Sequence, residues 1–227
     1  MEDTTRTKEN LDNVNAFYLV IDVETAPRRD FCPMQTEIIE LGWATILNGL
    51  ISEQASTLIK PAHKIPLDVT EALGITNEMV ADAPDFIEAF QKVLMKVEKS
   101  SILVGHNVSY DINVIEEVAH RRLGLKAEDF LSGFNAMQVV DTKRLFAKLF
   151  PDESNRRLKD LMRVLEIEET EKRHRAGTDA NYTALSLIKM FSVMSSRFGI
   201  DILEPGFLAH FIETGHPFYQ RPLFLNR

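Results

Sequence analysis

The chain has 227 residues and one cysteine, Cys32, which excludes an intrachain disulfide and makes a reducing cytoplasm the expected setting. Hydrophobic residues at 44% and charged residues at 26% suit one globular domain with a sizeable core, and no apolar run reaches membrane-spanning length. The formal net charge of -8 excludes a global basic footprint for nucleic acid. Two local basic clusters, "NRRLKDLMR" and "EKRHR", qualify that exclusion, as do metal ions, which can sit between carboxylates and phosphates.

The opening "MEDTTRTKENLDN" is polar, lacks the apolar stretch of a signal peptide and reads as a leader over 1–14. "FYLVIDVET" is an aromatic and β-branched run of the kind that forms a buried strand. "TEIIELGWATILNG" and "LISEQASTLIKP" follow as two more strands, joined by a turn at Asn48-Gly49. "NEMVADAP" predicts a short helix. "DFIEAFQKVLMKVEK" predicts a longer one, with Phe86, Ile87, Phe90, Val93, Leu94 and Val97 forming its apolar stripe. "SILVGHN" predicts a strand, and "SYDINVIEEVAHRRLG" a helix closed by Gly124. "MQVVDTKRLFAKLFP" reads as strand then helix, "RRLKDLMRVLEI" as a further helix, and a last long helix begins close to Asp179. Strands first, then strand and helix in alternation, describe a mixed α/β sheet with helices packed on it. The expected organisation is one domain over 15–194 and an extension over 195–227.

Three segments place acids and histidines at strand ends or helix starts. In "VIDVET", Asp22 and Glu24 are two apart, so on a strand both leave the same face. Side by side in poorly hydrated surroundings they repel, and a divalent cation removes that conflict. Taken alone, such a pair reads first as two solvated acids. In "GHNVSYD", Asp111 falls in the first turn of a helix, where its complement to the helix dipole is a sufficient explanation. His106 and Asn107, just after a strand, stand where α/β sheets commonly place ligands. In "HRAGTDA", His174 and Asp179 are five apart, about 140° around a continuous helix. Gly177 is expected to resolve this by letting His174 sit in the preceding loop while Asp179 stands in the first helical turn.

Together these blocks resemble the DEDDh group of DnaQ-like 3′–5′ exonucleases, whose pattern is D-x-E, then H-N-x-x-x-D, then H-x-x-x-x-D leading into the last helix. Here the blocks stand as "IDVET", "GHNVSYD" and "HRAGTDA". "ALGITNEMVADAPDF" and "VVDTKRLFAKLFPDESNRRLKDL" also look like the family's connecting segments, so the resemblance covers about Phe17 to Met190. One departure is the longer, charged connection "ETAPRRDFCPMQTEIIE" where the family often continues E-T-T-G.

The resemblance implies an RNase H-like fold, a mixed five-stranded sheet with three antiparallel strands flanked by helices. It implies hydrolysis of phosphodiester bonds from a 3′ end to give nucleoside 5′-monophosphates, with two divalent ions, Mg²⁺ or Mn²⁺, on Asp22, Glu24, Asp111 and Asp179. His174 is then the general base, since an imidazole titrates near neutral pH. Thr25, His106, Asn107 and Tyr110 are expected around the terminal nucleotide, Leu73 and Ile75 against its base or in the core, and Arg175 on a phosphate or in solvent. The expected partner is nucleic acid through a single-stranded 3′ end, with the tail after Met194 either packed across the domain or docking a DNA polymerase or another protein. A non-catalytic nucleic-acid-binding or interaction module on the same fold is the alternative, and a hydrolase of small phosphodiesters is a third reading. DNA and RNA are not distinguished by any of the blocks.

Overall fold

A computed structural model describes residues 17–28, 35–97, 102–171, 173–199 and 205–215. The leader over 1–14 and Cys32 lie outside the described residues. Five strands form one sheet in the order β3-β2-β1-β4-β5. They are β1 (Phe17–Arg28), β2 (Gln35–Leu47), β3 (Leu50–Leu58), β4 (Ile102–Gly105) and β5 (Gln138–Asp141). β1, β2 and β3 pair antiparallel, and β4 and β5 add in parallel beside β1. This is the expected mixed sheet with three antiparallel strands first. The turn at Asn48-Gly49 has positive φ at both residues (53° and 74°), as a tight hairpin between twisted strands requires.

Helices cover both faces. Helix α1 spans Leu67–Leu73, α2 Phe86–Val97, α3 Ser109–Leu123 and α4 Ala127–Asn135. Helix α5 spans Thr142–Leu149, α6 Leu158–Val164, α7 Ala176–Phe198 and α8 Pro205–Thr214. Alternation along β1 splits the core in two. Tyr18 and Val20 pack with Leu145, Phe146, Leu187 and Phe191 of α5 and α7. Leu19, Ile21 and Val23 pack with Phe86, Phe90, Ile115 and Leu131 of α2, α3 and α4. Each of these large side chains is nearly or fully buried and contributes about 1.5–3 kcal/mol.

One predicted element needs correction, and other features go beyond the sequence reading. "NEMVADAP" forms turns, and the short helix lies earlier, at α1, which ends on the left-handed Gly74 (φ 73°). Helix α4 was not foreseen: the sequence reading closed α3 at Gly124 and assigned no element to the segment behind it, where one 3₁₀ turn at Gly124–Lys126 leads directly into α4. The tail, expected either to pack across the domain or to dock a partner, packs in part: Phe207, Leu208, Phe211 and Ile212 of α8 are buried in the same cluster as Tyr18 and Phe191. The expected boundary at 194 falls inside α7, which runs to Phe198. Among the described residues no helix is long and apolar enough to cross a membrane.

Candidate active site

The site begins with the parity of β1. Tyr18 and Val20 face α7, so Asp22 and Glu24, two and four residues further, emerge on that same face at the strand's end. The antiparallel register sets Gly42 opposite Asp22 and Glu40 opposite Glu24. Gly42 leaves a gap that α7 fills: a Cβ there would stand 2.0 Å from the carbonyl carbon of Ala176. The register shifts between Glu24 and Thr25, a bulge that turns the chain as it leaves the acids.

Helix α7 brings in the third block. Asp179 lies in its first turn, and His174 stands two residues before its first residue. The two are linked directly, since His174 N–H donates to Asp179 Oδ2 at 3.2 Å. The geometry that permits this differs from the expectation. His174 itself adopts the left-handed conformation (φ 66°), which for a residue with a Cβ costs about 1–2 kcal/mol. Gly177 lies inside the helix, and its smallness serves close packing on β3, where a Cβ would stand 2.9 Å from Ser56 Cβ.

The second block closes the site from the β4 side. Asp111 is buried at the start of α3, and its Oδ1 accepts from Val23 N–H at 3.0 Å, which binds the helix to β1 between the two strand acids. Tyr110, one residue earlier, shares a 2.9 Å hydrogen bond between its hydroxyl and that of Thr25. Asn107 is also left-handed (φ 72°); its N–H donates to Asp141 Oδ1 at 3.0 Å and its Oδ1 accepts from Lys143 Nζ at 3.1 Å. His106 is held inward, Nδ1 3.0 Å from Thr142 Oγ1 and Nε2 2.9 Å from the carbonyl oxygen of Arg156. Burial holds it below the ordinary imidazole range.

Four acids therefore oppose one another's ionisation. Burial, then Asp111, Asp179, Glu24 and Glu40, raise Asp22 well above the usual carboxylate range. Burial and the charge of Asp179 push Glu24 up to about 8. Asp111 is pushed up to about 7, chiefly by burial, and burial also raises Asp179. Glu24, His174 and Asp179 offer ligand atoms within 4.8 Å of one another. Asp179 Oδ1 is buried with no hydrogen-bond partner in the protein. An orphaned carboxylate oxygen among mutually repelling acids is the arrangement a hard divalent cation satisfies, so these residues fit the implied ions.

A cleft of about 740 Å³ reaches this site at Asp179 and His174. His106, Asn107, His174 and Asp179 line one part, and Lys143, Arg156, Arg157, Lys159 and Arg173 line the rest. Other expected contacts lie elsewhere. Ile75 is fully buried in a separate cluster with Ala26, Ile39, Ile65 and Val80, and Leu73 packs against it. Arg175 is engaged by Glu40, its Nε and Nη2 2.9 and 2.8 Å from the two carboxylate oxygens.

Glu40 and Asp141 were missed by sequence reasoning. The signal for Glu40 was an acid among Ile38, Ile39 and Leu41 within a strand, a charge that needs a buried partner. Asp141 had a signal too, preceding a helix as an N-cap; its side chain accepts from Lys143 N–H.

Comparison with known proteins places this geometry in context. A family model described as an exonuclease (RNase_T) matches residues 19–187. The DNA polymerase III PolC-type of Bacillus cereus is 31% identical over 193 residues, 85% of this chain and 12% of that protein. The DNA polymerase III subunit epsilon of Aquifex aeolicus is 29% identical over 201 residues, 88% of this chain and 93% of its own. The 3′–5′ exonuclease DinG of Bacillus subtilis is 28% identical across 76% of this chain and 17% of its length. The chain thus spans about an eighth of the PolC-type relatives it matches. Among solved structures, the nuclease domain of 3′hExo, a DEDDh family member bound to rAMP, has the same fold with a TM-score of 0.65 and 18% identity, covering 79% of this chain and 94% of that one. Exonuclease X in complex with 5′ overhanging duplex DNA gives 0.56 at 23% identity, covering 79% of this chain and 92% of its own.

Proposed function

Because the chain belongs to the exonuclease family, among 3′–5′ enzymes of the DEDDh type with an RNase H-like fold, we propose that it shortens a single-stranded nucleic acid from its 3′ end and releases nucleoside 5′-monophosphates. Asp22, Glu24, Asp111 and Asp179 hold two divalent ions, Mg²⁺ or Mn²⁺, and His174 is the general base. The observation that carries this reading is the meeting of four acids, all raised in pKa chiefly by burial and Asp22 and Glu24 also by the charges of the others, with Asp179 and His174 bordering one cleft. When bound, the ions supply electrostatic stabilisation of the attacking and leaving oxygens.

The chain's own residues do the rest. His174 is exposed at the cleft and takes the proton of the attacking water. The imidazolium so formed lies beside Asp179, whose carboxylate stabilises it. Val23 N–H fixes Asp111, so the second block stays in place relative to β1. The hydrogen bond between Tyr110 and Thr25 joins the start of α3 to β1 beside the acids, and these two side chains shape the place of the terminal sugar. His106 acts at one remove, tying the Arg156 backbone to the site. Lys143, Arg156, Arg157, Lys159 and Arg173 give the cleft a cationic wall in a protein of net charge -8, where strand phosphates bind. Similarity to polymerase III proteins nominates a DNA polymerase as protein partner.

Matched single- and double-stranded DNA and RNA, labelled at the 5′ end, test the reading with Mg²⁺, Mn²⁺ or chelator. The expected result is a ladder that shortens from the 3′ end with either ion and stays full length in chelator. Strands left intact under every ion condition, but retained in a binding assay, would overturn it in favour of a binding module.

A further inference from the structure

Helix α7 carries Asp179, and its first turn is secured from another strand. An α-helix leaves its first N–H groups without intrahelical partners, and a Ser, Thr, Asp or Asn at the N-cap usually satisfies one. The N-cap of α7 is Arg175, in extended conformation, with no side-chain cap. Glu40 of β2 does that work instead: its Oε2 accepts from Ala176 N–H at 3.1 Å. The same carboxylate takes the side-on fork of Arg175 and a third donor, Ser56 Oγ, at 3.1 Å. Glu40 is 1% exposed, and its side-chain hydrogen bonds run to Arg175, Ala176 and Ser56.

The consequence falls on His174. Its two successors in the chain are fastened to β2 through Glu40, and its own N–H is fastened to Asp179. The left-handed backbone of His174 is therefore held from both sides, as a strained conformation must be to persist. Glu40 also stands directly across from Glu24, where like charges destabilise a strand pair. Arg175 offsets that repulsion without lining the 740 Å³ cleft that His174 and Asp179 border. With both oxygens committed to donors, Glu40 is left out of the set that can hold an ion, although it neighbours it.

We propose that Glu40 and Arg175 form a clasp whose task is to position the His174 backbone, making both of them positioning residues and removing Arg175 from the phosphate contacts. The inference rests on the reading of His174 as general base. A one-ångström displacement of a catalytic group costs on the order of a hundredfold in rate. Loss of the clasp is thus expected to lower kcat by roughly that factor, with KM and the divalent-ion midpoint little changed.

The test is a double-mutant cycle on a 3′-labelled strand, using Arg175→Lys, Glu40→Gln, His174→Ala and the pairs with His174→Ala. Arg175→Lys keeps the charge but loses the fork, and Glu40→Gln keeps the shape, so both leave the fold in place, as thermal melts would verify. The expected result is a kcat loss of tens- to a hundredfold in each single clasp variant, and no further loss when it is added to His174→Ala. A rise in KM at constant kcat would show Arg175 to be a phosphate contact and overturn the proposal. Losses that multiply with that of His174→Ala, or no loss at all, would overturn it as well. Failure of the general-base reading is distinguishable, because His174→Ala alone would then turn over like the wild type.

Discussion

Without a cation, Asp22, Glu24, Asp111 and Asp179 each make the ionisation of a neighbour harder, and burial makes it harder still. A carboxyl raised in the folded state adds stability below its unfolded pKa, near 4, and loses it as pH climbs through the folded value. For Asp111 and Glu24 that climb ends at about 7 and about 8. In chelator the melting temperature of the wild type should therefore fall between pH 5 and pH 8, and that of Glu24→Gln should fall less. With saturating Mg²⁺ the trend should reverse, since carboxylates bind the ion only when deprotonated. Calorimetric melts across that window check both statements; equal slopes for the two proteins in chelator would refute the electrostatic account. His174→Ala should lose roughly 10²–10⁴-fold in turnover and flatten the acid limb of the pH–rate profile. At this scale the candidate acids and His174 were picked out by the three blocks together, through their resemblance to the DEDDh pattern, since each block alone admits a plainer reading. Glu40 was not, since its importance depends on a register and on an arginine far along the chain that only the fold brings to it.

At the scale of elements, the site depends on how closely α7 approaches the sheet. Gly42 and Gly177 are the places where that approach leaves no room for a Cβ. Gly42→Ala would drive a methyl into the Ala176 carbonyl, a backbone group that cannot swing aside, at a cost of about 3 kcal/mol or more. At about 2–4 °C per kcal/mol for a domain of this size, the melting temperature should drop by roughly 6–12 °C. Activity should fall further than stability, because Asp179 moves with the helix. A Gly42→Ala protein that melts like the wild type would mean the helix sits further from β2 than described. The strands of this sheet were readable from apolar runs and turn residues, and the period of two placed Asp22 and Glu24 on one face. The start of α7 was readable only in part: a glycine near a histidine suggested a flexible backbone, whereas Gly177 is a contact glycine and the left-handed residue is His174. "NEMVADAP" misled because its apolar spacing fits a helical turn, while Ile65 and Val80 are drawn into the core around Ile39 from loops.

For the whole molecule, charge is the organising quantity. A net charge of -8 disfavours general contact with nucleic acid, so binding has to be concentrated where the cationic wall borders the acids. Each phosphate contact to a single strand contributes about 0.7 to the slope of log affinity against log salt. Arg156→Gln with Lys159→Gln should reduce the salt slope of KM by up to about 1.4 while leaving kcat nearly intact; an unchanged slope would remove those side chains from the strand's path. The five-stranded plan was legible from the order of strands and helices, but the role of the last segment was not. Its apolar residues suit either a partner or the core, and in the fold Phe207, Leu208, Phe211 and Ile212 go to the core. The central claim is that the acids are a metal site serving attack at a 3′ end. The most direct measurement is the stepwise shortening of a 5′-labelled strand by wild type and Asp179→Asn, in Mg²⁺ and after chelation. The account predicts stepwise shortening by the wild type with Mg²⁺, none in chelator, and a loss of at least about a thousandfold in Asp179→Asn, beyond the 10–100-fold typical of outer-shell partners. Equal rates for the two proteins, or shortening that survives the chelator, would contradict it.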